Sequence, residues 1–152
     1  MAAPYRQTSY ALILIVCGLG CSSGPVKSDA LPPTEYTQLM SIGHAYVQAM
    51  AKLRHAPRDL QELKPFLQAR PDGQQLFDDV SSGKYVIIWG LRLGDLELQE
   101  SPDGSTRVPV LAYQAQPHDG KRYVLLKTTQ VDQMSDAKFQ NAYFPKGHKP
   151  KG

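Results

Sequence analysis

Two thiols, Cys17 and Cys21, stand near the front of the chain, and no other cysteine occurs among its 152 residues. Exported proteins normally use cysteines in pairs. Cleavage just before Cys21 would leave a single thiol at the first residue, with no disulfide to make and another task to fill. A second chemical group is the acidic run Asp95, Glu97, Glu100 and Asp103. The four form an acidic loop, and no metal ligand set is expected from their spacing alone. Their spacing is not that of an EF-hand, because Glu100 occupies the place of the turn glycine. A solvated acidic loop is the simpler reading.

The histidines do not converge. His44 and His55 fall on nearly the same side of a helix but about 16 Å apart along its axis, too far to share a metal. His118 lies in a turn and His148 near the end. Ser81-Ser82-Gly83 lacks the Gly-x-Ser-x-Gly elbow of a serine hydrolase and reads as a turn. Gly90-Leu91-Arg92-Leu93-Gly94 lacks the Lys-Ser/Thr end that a phosphate cradle requires. Trp89, Tyr85, Tyr113 and Tyr123 could form a binding platform with Arg92, Arg107 and Arg122, although strand aromatics more often fill a sheet core. No catalytic set and no cofactor is expected.

The elements that must position these residues follow from periodicity. Thr34 follows Pro32-Pro33 as an N-cap, with Glu35 in the first turn. Tyr36, Leu39, Ile42, Tyr46, Met50 and Leu53 then recur in steps of three and four, flanked by Met40 and Val47. That predicts an amphipathic helix of about 20 residues ending before Pro57. Gly43 inside it points to a close packing partner. A short helix is expected at 59–64 with Asp59 as cap, and a helical fragment at Leu76-Phe77.

The period then shortens. Residues 84–89 alternate as a strand with Tyr85, Ile87 and Trp89 on one face, and 91–99 form a weaker strand or extended loop. Residues 108–114 and 121–127 form two strands joined through Pro117-His118-Asp119-Gly120. Ser135 caps a helix at 136–143. Helices first and strands after give an α+β fold: a long N-terminal helix and a short helix on a small antiparallel sheet of three or four strands, closed by a short C-terminal helix.

Residues 1–24 carry Arg6, then the apolar run 11–19, then small residues around Gly18, Gly20 and Ser22. This is the order of a secretory signal, and the run is about half the ~20 residues of a membrane span. Gly18-Leu19-Gly20-Cys21-Ser22-Ser23 resembles the lipobox of bacterial lipoproteins, although Gly18 stands where that family usually has Leu. The resemblance implies a diacylglyceryl group on Cys21, which becomes the mature amino terminus. An ordinary cleaved leader releasing a soluble protein is the alternative. Residues 22–33, rich in Ser, Gly and Pro, form a linker with a reach of about 20 Å. Residues 145–152 are basic, contain breakers and are expected to be a disordered tail.

From Thr34 to Phe144 the order of elements resembles the globular part of type IV pilins and secretion-system pseudopilins. The segments 59–67, 85–90, Val110-Leu111-Ala112-Tyr113 and 122–139 carry the likeness. Two features depart from it: the leader ends in Gly20-Cys21 without a prepilin cleavage motif, and Thr128-Thr129 stand where Asp-Gly is common after the last strand. The resemblance implies the fold without polymerisation, and, because pseudopilins carry calcium in a loop of their sheet region, it makes Asp95, Glu97, Glu100 and Asp103 the calcium candidates.

Seventeen Lys and Arg against 14 Asp and Glu give a net charge of +3, too balanced to indicate a nucleic-acid partner. The expectation is therefore a signal peptide at 1–20, a lipidated Cys21 and linker at 21–33, a single domain at 34–144, and the tail. Its role would be a non-enzymatic one at the cell envelope, contacting the lipid bilayer through the acylated terminus and an envelope protein through the domain. The alternative is a secreted small-ligand or calcium-binding module.

Overall fold

The computed structural model describes residues 33–92, 94, 99–100, 106–127 and 129–150. Helix α1 spans Thr34–Leu53 and buries Leu39, Ile42, Ala45, Tyr46 and Ala49, the three-and-four periodicity carried through as packing. Thr34 does not cap it. Pro33 holds the cap position, and its carbonyl accepts from the Thr37 amide at 3.2 Å and the Thr37 hydroxyl at 3.0 Å. Proline's fixed φ, here −52° with ψ 148°, already presents that carbonyl to the first turn. At the other end Arg54 takes a left-handed φ of 64°, and its amide closes on the Met50 carbonyl at 3.0 Å.

Helix α2, Leu60–Gln68, is capped by Asp59, whose carboxylate accepts from the Glu62 amide at 3.0 Å. It runs through Pro65 rather than stopping at Lys64. The proline removes one backbone donor, and burial of Leu63 and Leu67 on either side of it outweighs that loss. Helix α3, Gly73–Ser81, is a full element where only a fragment is expected. A Cβ at Gly73 would collide with the Leu67 carbonyl, so the tight α2–α3 turn requires glycine.

The strands are β1 (Tyr85–Ile87), β2 (Gln99–Glu100), β3 (Thr106–Arg107), β4 (Val110–Gln114), β5 (Lys121–Leu126) and β6 (Val131–Ser135). An antiparallel sheet has the order β1-β4-β5-β6, while β2 and β3 pair separately. β4 and β5 turn over through Asp119 and Gly120, both at positive φ (51° and 68°), the combination that two-residue hairpin turns need. β6 has no counterpart in the sequence periodicity, because Val131 and Met134 sit three apart and face opposite sides of the sheet. Its register, Leu125↔Val131 to Lys121↔Ser135, is set by pairing with β5.

Helices α1 to α3 cover one face of the sheet, against Tyr85, Ile87, Leu111, Ala112, Leu125 and Val131. Gly43 lets α1 approach closely: a Cβ there would stand 3.2 Å from a Leu125 methyl. The opposite face is also covered. Helix α4, Asp136–Gln140, is capped by Ser135 and lays Phe139 onto Val110, Tyr113, Val124, Leu126 and Met134. It ends at Gln140, short of the expected Tyr143, because the chain straightens there and the Tyr143 carbonyl accepts from Val110 N–H at 2.9 Å.

The end segment departs from the expected disordered tail. Pro145 is buried, and the His148 ring stacks on Phe144 at 5.6 Å with its Nε2 3.2 Å from the Tyr113 hydroxyl. The aromatic surface of β4 and α4 gives these residues something to bury against, which composition alone does not register. The fold is α+β, with helices on an antiparallel sheet and a short C-terminal helix.

Candidate functional site

Cys21 and the carboxylates Asp95, Glu97 and Asp103 lie outside the described residues, and Glu100 is described only through its backbone in β2. Among the described residues, no group of three or more His, Cys, Asp or Glu is placed to hold a metal ion.

The aromatic and arginine platform does not assemble. Tyr85 faces the helices and Tyr113 faces α4, on opposite sides of the sheet. Tyr123 and Trp89 are half-buried against the helical core. Arg107 is exposed in β3, Arg92 is exposed after β1, and Arg122 is buried on the α4 side. Alternation along β4 and β5 separates them, since adjacent positions in a strand point to opposite faces.

Each half of that set has a structural task instead. The Tyr85 hydroxyl donates to Gln38 Oε1 at 2.5 Å, and Gln38 Nε2 donates to Asp79 Oδ2 at 2.7 Å. Lys84 Nζ reaches the same Asp79 oxygen at 3.0 Å. The knot joins α1, α3 and β1. Burial pushes the Asp79 carboxyl up, but hydrogen bonds from Lys84, Gln75 and Gln38, with the Lys84 charge, outweigh it and leave its pKa below the ordinary value. Burial, with the charges of Glu35 and Asp79, pushes the Tyr85 phenol well above its ordinary range, so it stays protonated and acts as a donor.

On the other face Arg122 is 2% exposed. It donates to Asp136 Oδ1 at 2.9 Å and to the Ala115 carbonyl at 3.3 Å, and lies 4.1 Å over the Phe139 ring. A buried guanidinium held by a carboxylate, a carbonyl and an aromatic face orders the junction of β5 with α4.

Open clefts surround these cores. One of about 530 Å³ lies between β6 and α4, lined in part by Arg107, Leu126, Asp132, Met134, Lys138 and Tyr143. Another of about 340 Å³ at the end of α1 is lined by Met50, Ala51, Arg54, His55, Arg92 and Gly94. His55 turns to the Ala56 carbonyl at 3.0 Å and Glu62 at 3.8 Å, and His44 stands exposed on α1. The two histidines do not meet, as their spacing requires.

The exposed side of α1 is unusual in its chemistry. From Tyr36 to Ala51 the sequence has no Asp, Glu, Lys or Arg. Thr37, His44, Val47, Gln48 and Ala51 face solvent there, with Met40 half-buried among them. Val47 is 41% exposed and is the one large hydrophobic side chain so open among the described residues. Periodicity assigns Val47 to the margin of the buried stripe and so hides this strip. The signal that finds it is the gap in charge.

No family model, no curated protein and no solved structure matches the chain.

Proposed function

We propose that this chain is a membrane-tethered cell-envelope lipoprotein, anchored through an acylated Cys21, whose pilin-like domain serves in protein contacts and not in catalysis. The observation that carries the reading is the Gly20-Cys21 junction directly behind the apolar run 11–19, with no cysteine after Cys21. Acyl chains add about 0.8 kcal/mol of membrane affinity per buried CH₂, and two or more hold a protein stably at a bilayer. The spacer 22–33 then leads to α1 at Thr34, an order suited to a tethered globular unit. The domain side of the reading is supported by the use of Tyr85, Asp79, Lys84, Arg122 and Asp136 in packing and ion pairs that join elements.

Membrane fractionation of the wild type against Cys21→Ser tests the tether, together with mass spectrometry of the native amino terminus. The wild type is expected in the membrane fraction with a diacylglyceryl mass on Cys21, and the variant in the soluble fraction. An unmodified front end, or an unchanged distribution in the variant, would overturn the reading.

A further inference from the structure

Three basic side chains meet where α1 stops. Arg54, His55 and Arg92 line the cleft of about 340 Å³ together with Met50, Ala51 and Gly94, and none of the six is acidic. From Tyr36 to Arg58 the sequence holds no Asp or Glu. The walls of the cleft are tied to each other. Tyr46 on α1 bonds both backbone groups of Leu91, and the Gly90 amide donates to the Pro57 carbonyl at 2.8 Å. Arg92 is thereby held beside the end of α1, so the cleft is formed before any ligand arrives.

Arg54 holds its place at a cost in stability. Its φ of 64° lies in the left-handed region, where a helix end ordinarily carries glycine. Its guanidinium makes no hydrogen bond or ion pair to another of the described residues. A strained position thus carries a charge that the fold itself does not use, the pattern of a residue kept for a ligand. His55 turns Nδ1 to the Ala56 carbonyl at 3.0 Å, with Glu62 at 3.8 Å. A carbonyl only accepts, so Nδ1 carries a proton and Nε2 is left for a ligand.

We propose that this cleft binds the phosphate group of a small phosphomonoester. The fork of an arginine matches two phosphate oxygens with parallel N–H···O bonds, and Arg54 and Arg92 together meet the charge of a phosphomonoester at neutral pH. Such an ester loses its second proton near neutral pH, so one of its oxygens and His55 Nε2 can share a single proton. A carboxylate offers one charge and two oxygens, too few for the three groups present. The cleft is larger than a bare phosphate and stands at the lower end of the ~300–1,000 Å³ range of small-molecule sites. Met50 and Ala51 give the organic part of the ester an apolar wall. The inference goes beyond the tether and stands without it.

The test titrates inorganic phosphate, and then glycerol phosphate, into the full isotope-labelled chain with Cys17→Ser and Cys21→Ser. Chloride holds the ionic strength constant, and nuclear magnetic resonance reads the response. Saturable shifts are expected at Arg54, His55 and Arg92, with a dissociation constant on the order of 1 mM. Arg54→Gly is expected to weaken binding by about tenfold or more while the melting temperature stays level or rises. Lys52→Gln, an exposed change outside the cleft, is expected to leave binding unchanged. The absence of saturable shifts into the tens of millimolar would overturn the proposal. So would an Arg54→Gly variant that binds equally and melts lower, since Arg54 would then only offset the negative end of α1. An equal loss in Lys52→Gln would mean diffuse charge in place of a site and would overturn it as well. Phosphatidylglycerol vesicles identify the source of the phosphate. Co-sedimentation competed by glycerol phosphate assigns it to a lipid headgroup, its absence assigns a soluble ester, and either result supports the site.

Discussion

The Tyr46 phenol meets both backbone groups of Leu91: it accepts from the Leu91 amide at 2.9 Å and donates to the Leu91 carbonyl at 3.1 Å. One side chain from the middle of α1 thereby satisfies the donor and the acceptor of a residue that has just left β1 and the sheet ladder. Nearby, the Gly90 amide donates to the Pro57 carbonyl at 2.8 Å, with Gly90 at a φ of 74° that suits glycine. The exit from β1 is thus held by both the first helix and the segment before α2.

Tyr46→Phe keeps the ring and removes that pair of bonds. It is expected to lower unfolding free energy by about 1–3 kcal/mol, the cost of leaving buried polar groups without a partner. Urea denaturation should show a lower midpoint with an unchanged slope. The variant should also respond differently to alkali. Burial, partly offset by the Leu91 hydrogen bond, raises the Tyr46 pKa from 10.0 to about 12. Between those values the folded state holds a proton that the unfolded chain releases, so stability falls as pH rises through this window. Tyr46→Phe should flatten the part of that loss which belongs to Tyr46, with the Tyr85 part remaining.

Asp79 gives the opposite sign. Its folded pKa lies below the ordinary carboxylate value, with burial resisting and the bonds from Lys84, Gln75 and Gln38 prevailing. The stabilisation is present above that value and is lost as pH falls through the folded pKa. The wild type should therefore melt at a lower temperature at pH 3 than at pH 6. Asp79→Asn should be less stable at pH 6 and show a smaller drop between the two. A variant with the full wild-type acid dependence would place the titration in another group.

Much of this architecture is legible in the amino-acid order, and the exceptions share a cause. The α1 periodicity, the glycine at 43 and the Asp59 cap are local signals, and each appears as packing or a hydrogen bond. β4 and β5 are legible because β-branched and aromatic residues alternate beside a turn. β6 is not, because Val-Asp-Gln-Met-Ser has little strand character and owes its form to β5. Pro65 reads as a stop signal, yet the buried Leu67 carries α2 past it. Tyr85 and Tyr113 fill the two cores, as strand aromatics commonly do, and the separation of the arginines from them is a matter of strand partners and faces that only the tertiary fold settles. The charge gap from Tyr36 to Ala51 is written in the sequence, but periodicity places Val47 beside the buried stripe and does not show its exposure.

The two helix-associated glycines should behave differently when replaced. At Gly43 a Cβ would press on the flexible end of Leu125, at 3.2 and 3.3 Å. That cost opposes the gain of about 1 kcal/mol from replacing a mid-helix glycine by alanine, so Gly43→Ala should be near neutral. At Gly73 the obstacle is backbone at Leu67 and Gln68, which cannot give way without opening the α2–α3 turn. Gly73→Ala should destabilise by more than about 2 kcal/mol. Thermal melts of the two variants side by side decide it, and equal effects would contradict the close approach at Gly73.

The last aromatic residues give a further contrast. Phe144 packs edge-on against Phe139 at 5.2 Å and Tyr113 at 6.0 Å, and carries the His148 ring at 5.6 Å. Four rings from β4, α4 and the end segment thus cover the face of the sheet that the long helix does not touch. Phe144→Ala removes one ring that, like Tyr113, touches the other three, and the half-buried position sets the cost at about 1–3 kcal/mol. Lys149→Ala, at an exposed position just beyond, should change stability by less than about 0.5 kcal/mol. Fluorescence-monitored denaturation of both variants separates a packed end from a solvated one. A Phe144→Ala midpoint equal to that of Lys149→Ala would mean that the second core closes on α4 alone.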